Sequence, residues 1–232
     1  MITGFDGFPR ELFTFLEELK ANNNKEWFQD NRSRYDNDVV APVLDFIELV
    51  GLAVLPNLSH AFTAEAKKSG GSMFRIFRDT RFSNDKRPYK ENVGCQFRHR
   101  SAKDAHCPGF YLHLAPEEVF IGAGIWRPDG PTIKKIRTRI VTKPDEWQAA
   151  VHAEKVAKHF TGFEGEQLKH PPRGFDPDAP HMDDLRRKSF FLFKDFTAKD
   201  TQSPDFINQV DDAFTHAGPL VRFVCQAVGV EY

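Results

Sequence analysis

The chain has 232 residues, 40% hydrophobic and 28% charged, with 32 Lys and Arg against 33 Asp and Glu for a net charge of −1. This balance, with 23 phenylalanines as core material, is that of a globular chain and excludes a protein that coats nucleic acid through bulk charge. Three cysteines without paired spacing exclude a disulfide framework and read as reduced thiols. The N-terminus lacks the basic and apolar regions of a secretory leader, and the most apolar run, residues 49–55, is far short of a membrane span. The expected location is the cytoplasm.

Taken in order, Pro9 opens a helix on which Leu12, Leu16 and Leu19 recur at helical spacing. Asn22 to Asn24 end it, and Asn24 caps a second helix carrying Trp27, Phe28 and Tyr35. Pro42 is expected to begin a third, with Val43, Phe46, Ile47 and Val50 turned inward, ending before Pro56. From Ser72 the period changes to that of strands, expected over 73–78, 93–99, 109–115 and 118–125. Pro116-Glu117-Glu118 joins the last two as an antiparallel hairpin. Gly122 and Gly124 inside a strand imply close approach of a backbone or a ligand. Gly-Ala-Gly lacks the third glycine and following helix of a dinucleotide fingerprint.

Pro131 opens a helix to about Val141, with Lys134, Lys135, Arg137 and Arg139 set among isoleucines, and Pro144 opens another to about Phe160. Residues 161–180 read as one long loop, a length uncommon in compact domains unless functional. A short helix over 182–188 and a fifth strand over 189–196 follow. Ser203 caps a helix with Pro204 at its first position and Phe206, Val210 and Phe214 as its stripe, broken at Gly218-Pro219 before a last helix to about Val228. No repeat or linker divides the chain. The pattern is a single α+β domain over 1–232, a mostly antiparallel sheet of about five strands covered by N- and C-terminal helices. Its expected parts are a helical layer at 9–56, the sheet and a basic motif at 72–127, and helices, long loop and last strand at 130–232.

Chemistry concentrates between Ser72 and Gly94. From Arg75 to Lys90, four arginines (75, 78, 81, 87) and two lysines (86, 90) face only Asp79 and Asp85, a local excess of positive charge in a slightly acidic chain. Ser83-Asn84-Asp85 supplies a turn, and Pro88 stops regular structure before Tyr89. One reading is a solvated or internally salt-bridged face. The other is a pocket whose guanidinium groups grip a phosphate or carboxylate. Phe74, Phe77, Phe82 and Tyr89, threaded through the run, anchor it to a core under either reading.

The block FRDTRFSNDKRPYK, followed by Gly109-Phe110-Tyr111-Leu112-His113-Leu114 and by residues 122–128, resembles the uncharacterised family called domain of unknown function 2461. Residues 22–28 and Pro172-Arg173-Gly174-Phe175 fit the same family, so the resemblance covers nearly the whole chain. It implies no activity. Glu91 stands where the family commonly has a small hydroxyl residue, which argues against a ligand role at that position.

Other constellations carry less. Cys95, His99, His106, Cys107 and His113 fall close together, but their spacings fit no zinc pattern, and no metal site is expected. His113 shares a strand face with Tyr111 and Ala115, either as a hydrogen-bonded sheet histidine or as a general acid or base. No Gly-x-Ser-x-Gly elbow or phosphate-cradling loop is present. The leading expectation is a phosphate- or carboxylate-binding pocket. It comprises Arg75, Arg78, Arg81, Lys86, Tyr89, Lys90 and Asn92, with His113 as the catalytic candidate, Arg127 from the hairpin and Arg173 from the long loop. Lys169 is a further cation of that loop. A phosphoester-acting enzyme using His113 and a non-catalytic module for nucleic acid or protein are the alternatives. A small anion is the expected partner, nucleic acid a second one, and no membrane contact is expected. Neither cofactor nor oligomeric state follows.

Overall fold

The structure, a computed structural model, describes residues 1–81, 83–102 and 107–232. Five strands form one antiparallel sheet in the order β1-β2-β3-β5-β4, with β1 Val93–Arg98, β2 Gly109–Leu114, β3 Val119–Ile125, β4 Gly162–Phe163 and β5 Phe190–Phe196. Leu114 pairs with Val119 across the expected hairpin, whose turn is closed by the Ala115 N–H donating to the Glu118 carbonyl at 2.9 Å. The fold is α+β.

Strand alternation sorts the sheet into two faces. Cys95, Phe97, Phe110, Leu112, Ile121 and Phe190 point inward and are fully buried. The helix that covers them runs unbroken from Phe206 to Val228, and its Phe214 ring packs against Phe110 at 4.7 Å and Phe97 at 5.8 Å. A break at Gly218-Pro219 was expected, yet Pro219 sits inside this helix. Burial of the whole stripe, Phe206 through Cys225, outweighs one lost hydrogen bond and the proline clash.

The N-terminal half repeats this lesson. α1 is Arg10–Ala21, and α2 is Lys25–Asp30, capped as expected by the Asn24 side chain accepting from Trp27 N–H. The third helix does not begin at Pro42. α3 is continuous over Arg32–Leu58, with wide π turns at Tyr35–Val40 and Val50–Val54. Each π turn lies just ahead of a proline, Pro42 and Pro56, and the wider turn relieves the clash that a proline ring makes with the carbonyl four residues back. Merged in this way, α3 has a stretch of mean hydropathy 2.0, long and apolar enough by length and composition to cross a membrane, which residues 49–55 alone do not reveal. Its Tyr35, Val39, Val43, Phe46, Ile47 and Val50 are buried in the core.

The remaining helices are α4 Gly130–Thr142, α5 Pro144–Val151, α6 Glu154–Ala157, α7 Met182–Leu185, α8 Ala198–Thr201 and α9, the Phe206–Val228 helix. The segment from Pro144 is two helices rather than one. α8, absent from the sequence reading, is closed by a capping box between Thr197 and Asp200. The expected strand over 73–78 is not a ladder strand, and only isolated bridges, Met73 to Cys95 and Phe77 to Tyr89, mark it. Phe74 N–H donates to Gly94 O, whereas Lys90 N–H donates to Ile76 O, so the pairing slips by two residues at Glu91-Asn92. That slip ends the alternation: Met73 and Ile76, three apart, are both buried.

Candidate functional site

The described residues of the basic run form an arm, 72–81 and 83–90, in which Arg78, Arg81 and Arg87 pair with nearby acids. Arg78 Nη1 donates to Asp85 Oδ2 at 2.6 Å. Arg81 grips Asp79 in a bidentate pair at 2.9 and 2.7 Å. Arg87 contacts both Asp85, at 2.6 Å, and Glu91. Lys86 Nζ donates to Thr80 O at 2.9 Å. These bonds hold the Asp79 carboxyl down to about 2 and Asp85 lower still, mainly through the hydrogen bonds from Arg81 and Arg87. Three of the run's six cations, Arg78, Arg81 and Arg87, are thus held by acids.

Asn23 docks the arm onto the α1–α2 junction. Its amide donates to Tyr89 O at 3.0 Å and to Glu91 Oε1 at 2.9 Å, while its oxygen accepts from Tyr89 N–H at 3.1 Å. Tyr89 is a core residue, 4% exposed, stacked on Phe28 at 4.1 Å and near Phe77. Glu91 has a structural role, as the partner of Asn23 and Arg87. Phe77 is half exposed, and Phe82 lies outside the described residues. Asn92 is partly buried beside the slip.

Two cations of the arm differ. Arg75 is exposed, and its charge acts on both Asp79 and Lys90. Lys90 Nζ lies 5.2 Å from the Phe74 ring centre, without a carboxylate partner among the described residues. Burial and then the Arg75 charge lower its pKa.

Phe74 leads to the second face of the sheet. There the outward residues Tyr111, His113, Phe120, Phe191 and Phe193, with Phe74 and Trp126 as walls, enclose a cleft of about 450 Å³. Its polar members include Gln96, Glu118 and Glu164. The two β3 glycines do admit close approach, but from within the sheet. A Cβ on Gly122 would lie 1.9 Å from the Phe191 ring, and Gly124, at φ +125°, has the Phe190 carbonyl where its Cβ would be. The Phe191 ring therefore lies directly over Gly122.

His113 lies in this cleft, stacked on Phe120 at 4.7 Å, with Nδ1 3.2 Å from the Tyr111 hydroxyl and Nε2 3.7 Å from Glu118. Burial pushes its pKa down to about 4, so the ring is neutral at pH 7 and is far from the matched pKa of an efficient general acid. Arg127 and Arg173 stand apart from the arm. Arg127, strained at φ 44°, pairs with Glu166 of the long loop at 3.1 Å. Arg173 is exposed, as is Lys169.

The Cys and His group does not converge among its described members. Cys95 is fully buried with its thiol pushed up to about 12, and both ring nitrogens of His99 are taken, by Ser101 Oγ at 2.7 Å and Glu231 O at 2.8 Å. His106 lies outside the described residues. Sequence reasoning missed one hub. The buried Asp184 accepts from Trp147 Nε1 at 2.8 Å and Arg187 Nε at 3.0 Å, and pairs with His152 Nε2 at 2.6 Å. Burial alone would raise its pKa, but these bonds outweigh it and hold the carboxyl below its usual range. Asp183-Asp184 reads in the sequence as a helix-surface acid pair, and nothing there separates the two.

The family model for a conserved hypothetical protein, DUF2461, matches residues 11–223. The chain belongs to that family. Comparison with curated proteins gave no match, and comparison with solved structures gave none either. The match spans the arm, both sheet faces and the Asp184 hub, so this DUF2461 member carries the whole candidate site inside the family region.

Proposed function

We propose that the chain binds a small molecule with a flat apolar body and a phosphate or carboxylate group, seated in the cleft over the open face of the sheet. One observation carries the reading: Lys90, half-buried and without a carboxylate partner among the described residues, lies against Phe74, whose ring lines an aromatic cleft of about 450 Å³. A cavity of that size suits a small ligand. Rings such as Phe120 and Trp126 favour a planar body, and a partly desolvated ammonium gains most from an incoming anion. Arg75 is a second cation, near enough to Lys90 to lower its pKa. The nucleic-acid alternative needs a row of available surface cations, whereas Arg78, Arg81 and Arg87 are engaged with acids of their own arm. Three free cysteines, two of them buried, support a reducing compartment, and we place the protein in the cytoplasm.

The test is a thermal-melt series of aromatic carboxylates and phosphates against uncharged analogues of the same shape. At a hundredfold the dissociation constant a ligand stabilises by about 2.7 kcal/mol. The anionic members are expected to raise the melting temperature, and Lys90→Met to remove that preference. A flat series, or a shift indifferent to Lys90→Met, sinks the reading. Turnover of a phosphate ester that disappears in His113→Gln would replace it with the enzymatic one.

A further inference from the structure

A second constellation lies at the opposite side of β5, away from the cleft. Beyond α6, Phe160 is buried and the Thr161 N–H and Oγ1 both donate to Phe193 O, at 2.9 and 3.0 Å. This anchoring holds His159 against α9. On α9, Asp212 and His216 are four residues apart and so share one helical face. The imidazoles of His159 and His216 stack with centres 3.6 Å apart and planes 12° apart. One ligating atom from each of His159, Asp212 and His216 can be chosen so that all lie within 4.8 Å of one another.

Two further features separate this cluster from an ordinary histidine–aspartate contact. Each imidazole has its Nδ1 against a backbone carbonyl, His159 with Lys155 O at 2.7 Å and His216 with Asp212 O at 2.8 Å. A carbonyl only accepts, so each Nδ1 carries a hydrogen, and in the neutral ring each Nε2 keeps its lone pair. That second-sphere arrangement orients metal-ligating histidines. The Asp212 carboxylate, in turn, accepts no hydrogen bond among the described residues. Its contacts with His159 Nε2, His216 Nδ1 and Lys194 Nζ are 3.4, 3.3 and 3.8 Å, all longer than the 2.7–2.9 Å or so of a charge-assisted bond. The other histidine–aspartate group, His152, His181 and Asp184, lacks this freedom, because Trp147 and Arg187 already occupy the Asp184 oxygens.

We propose that His159 Nε2, His216 Nε2 and an Asp212 carboxylate oxygen bind a first-row divalent ion of the Zn²⁺ class. Two imidazoles with one carboxylate suit such an ion, whereas Ca²⁺ and Mg²⁺ prefer all-oxygen sets. Zn–N bonds are about 2.0–2.1 Å, so the side chains close in on the ion and the His216 ring, whose Nδ1 now faces Asp212, turns its Nε2 toward it; their partial exposure gives them room. Lys194, on β5, opposes the site: its ammonium must turn away from Asp212 when a dication arrives. Bound metal would clip the turn after α6, which leads into β4, onto the long helix α9.

The experiment is calorimetric titration of the chelator-treated full-length chain with Zn²⁺ alone. One ion per chain is expected, with affinity at least about tenfold weaker, about 1.4 kcal/mol, in His159→Gln and in His216→Gln. Lys194→Met is expected to bind more tightly than the parent chain, a gain that misfolding cannot mimic. His152→Gln should bind as the parent does. The proposal is overturned by absent binding, by binding indifferent to His159→Gln and His216→Gln, by binding that follows His152→Gln, or by a Lys194→Met chain no tighter than the parent.

Discussion

The two faces of the sheet are built from the same strands and the same alternation, yet they do different work. Phe110 and Tyr111 are neighbours in β2. Phe110 points inward and meets Phe214 of α9, while Tyr111 points outward to His113 and Phe120. The inner face is closed by a helix that tolerates an internal proline to keep it covered. The outer face keeps aromatic rings around a cleft, with a neutral histidine among them. Rings that could have been packed under a helix instead line open space. The inner face supplies the stability that lets the outer one remain uncovered.

Truncating one ring on each face makes the sharpest contrast. Phe110→Ala removes a fully buried ring and is expected to cost about 3–5 kcal/mol, read from urea unfolding. Phe120→Ala opens a partly exposed site and is expected to cost about 1 kcal/mol, while abolishing the ligand-induced melting shift. Equal costs would mean that both faces serve stability alone.

His113 offers the next largest effect, read through pH. Its folded pKa of about 4 lies below the unfolded value of about 6.5. Between those values the unfolded chain binds a proton that the folded chain refuses, so stability is full above about pH 6.5 and falls as the pH drops toward 4. The loss over that window is on the order of 2–3 kcal/mol. His113→Gln, which cannot titrate, should flatten that part of the profile in urea melts at pH 7 and 4.5. An unchanged profile would place the acid sensitivity elsewhere, with Asp184 next in line: its depressed carboxyl loses stability only at lower pH, as it protonates.

These expectations also show how far the residues alone could lead. Alternation in Gly109–Leu114 and Val119–Ile125 made the hairpin legible, and the Asn24 cap and Leu12-Leu16-Leu19 stripe did the same for the first helices. Prolines misled, because a helix anchored along its whole buried face can absorb one through a π turn or simply carry it. The cleft had a visible signal in Phe190-Phe191-Leu192-Phe193, a strand apolar on both faces although a helix covers only one. The His159, Asp212 and His216 cluster left half a signal, the four-residue spacing on one helix, while its third member comes from a distant turn. Charge density singled out residues 72–94, yet composition cannot tell whether Asp79, Asp85 and Glu91 will fold back onto their own arginines.

That ambiguity sets the smallest expected effect and the finest test of the comparison. Arg81 and Asp79 form an exposed pair on the arm, and exposed pairs add little to stability. Arg81→Ala should therefore leave the urea midpoint and any ligand-induced melting shift unchanged. Lys90→Met should also keep the midpoint but lose the shift, because the replacement fits the half-buried stem and removes only the charge. If Arg81→Ala proves to be the variant that loses the shift, the anion is read by the arm's outer arginines, and the open face of the sheet is a wall of the site rather than the site itself.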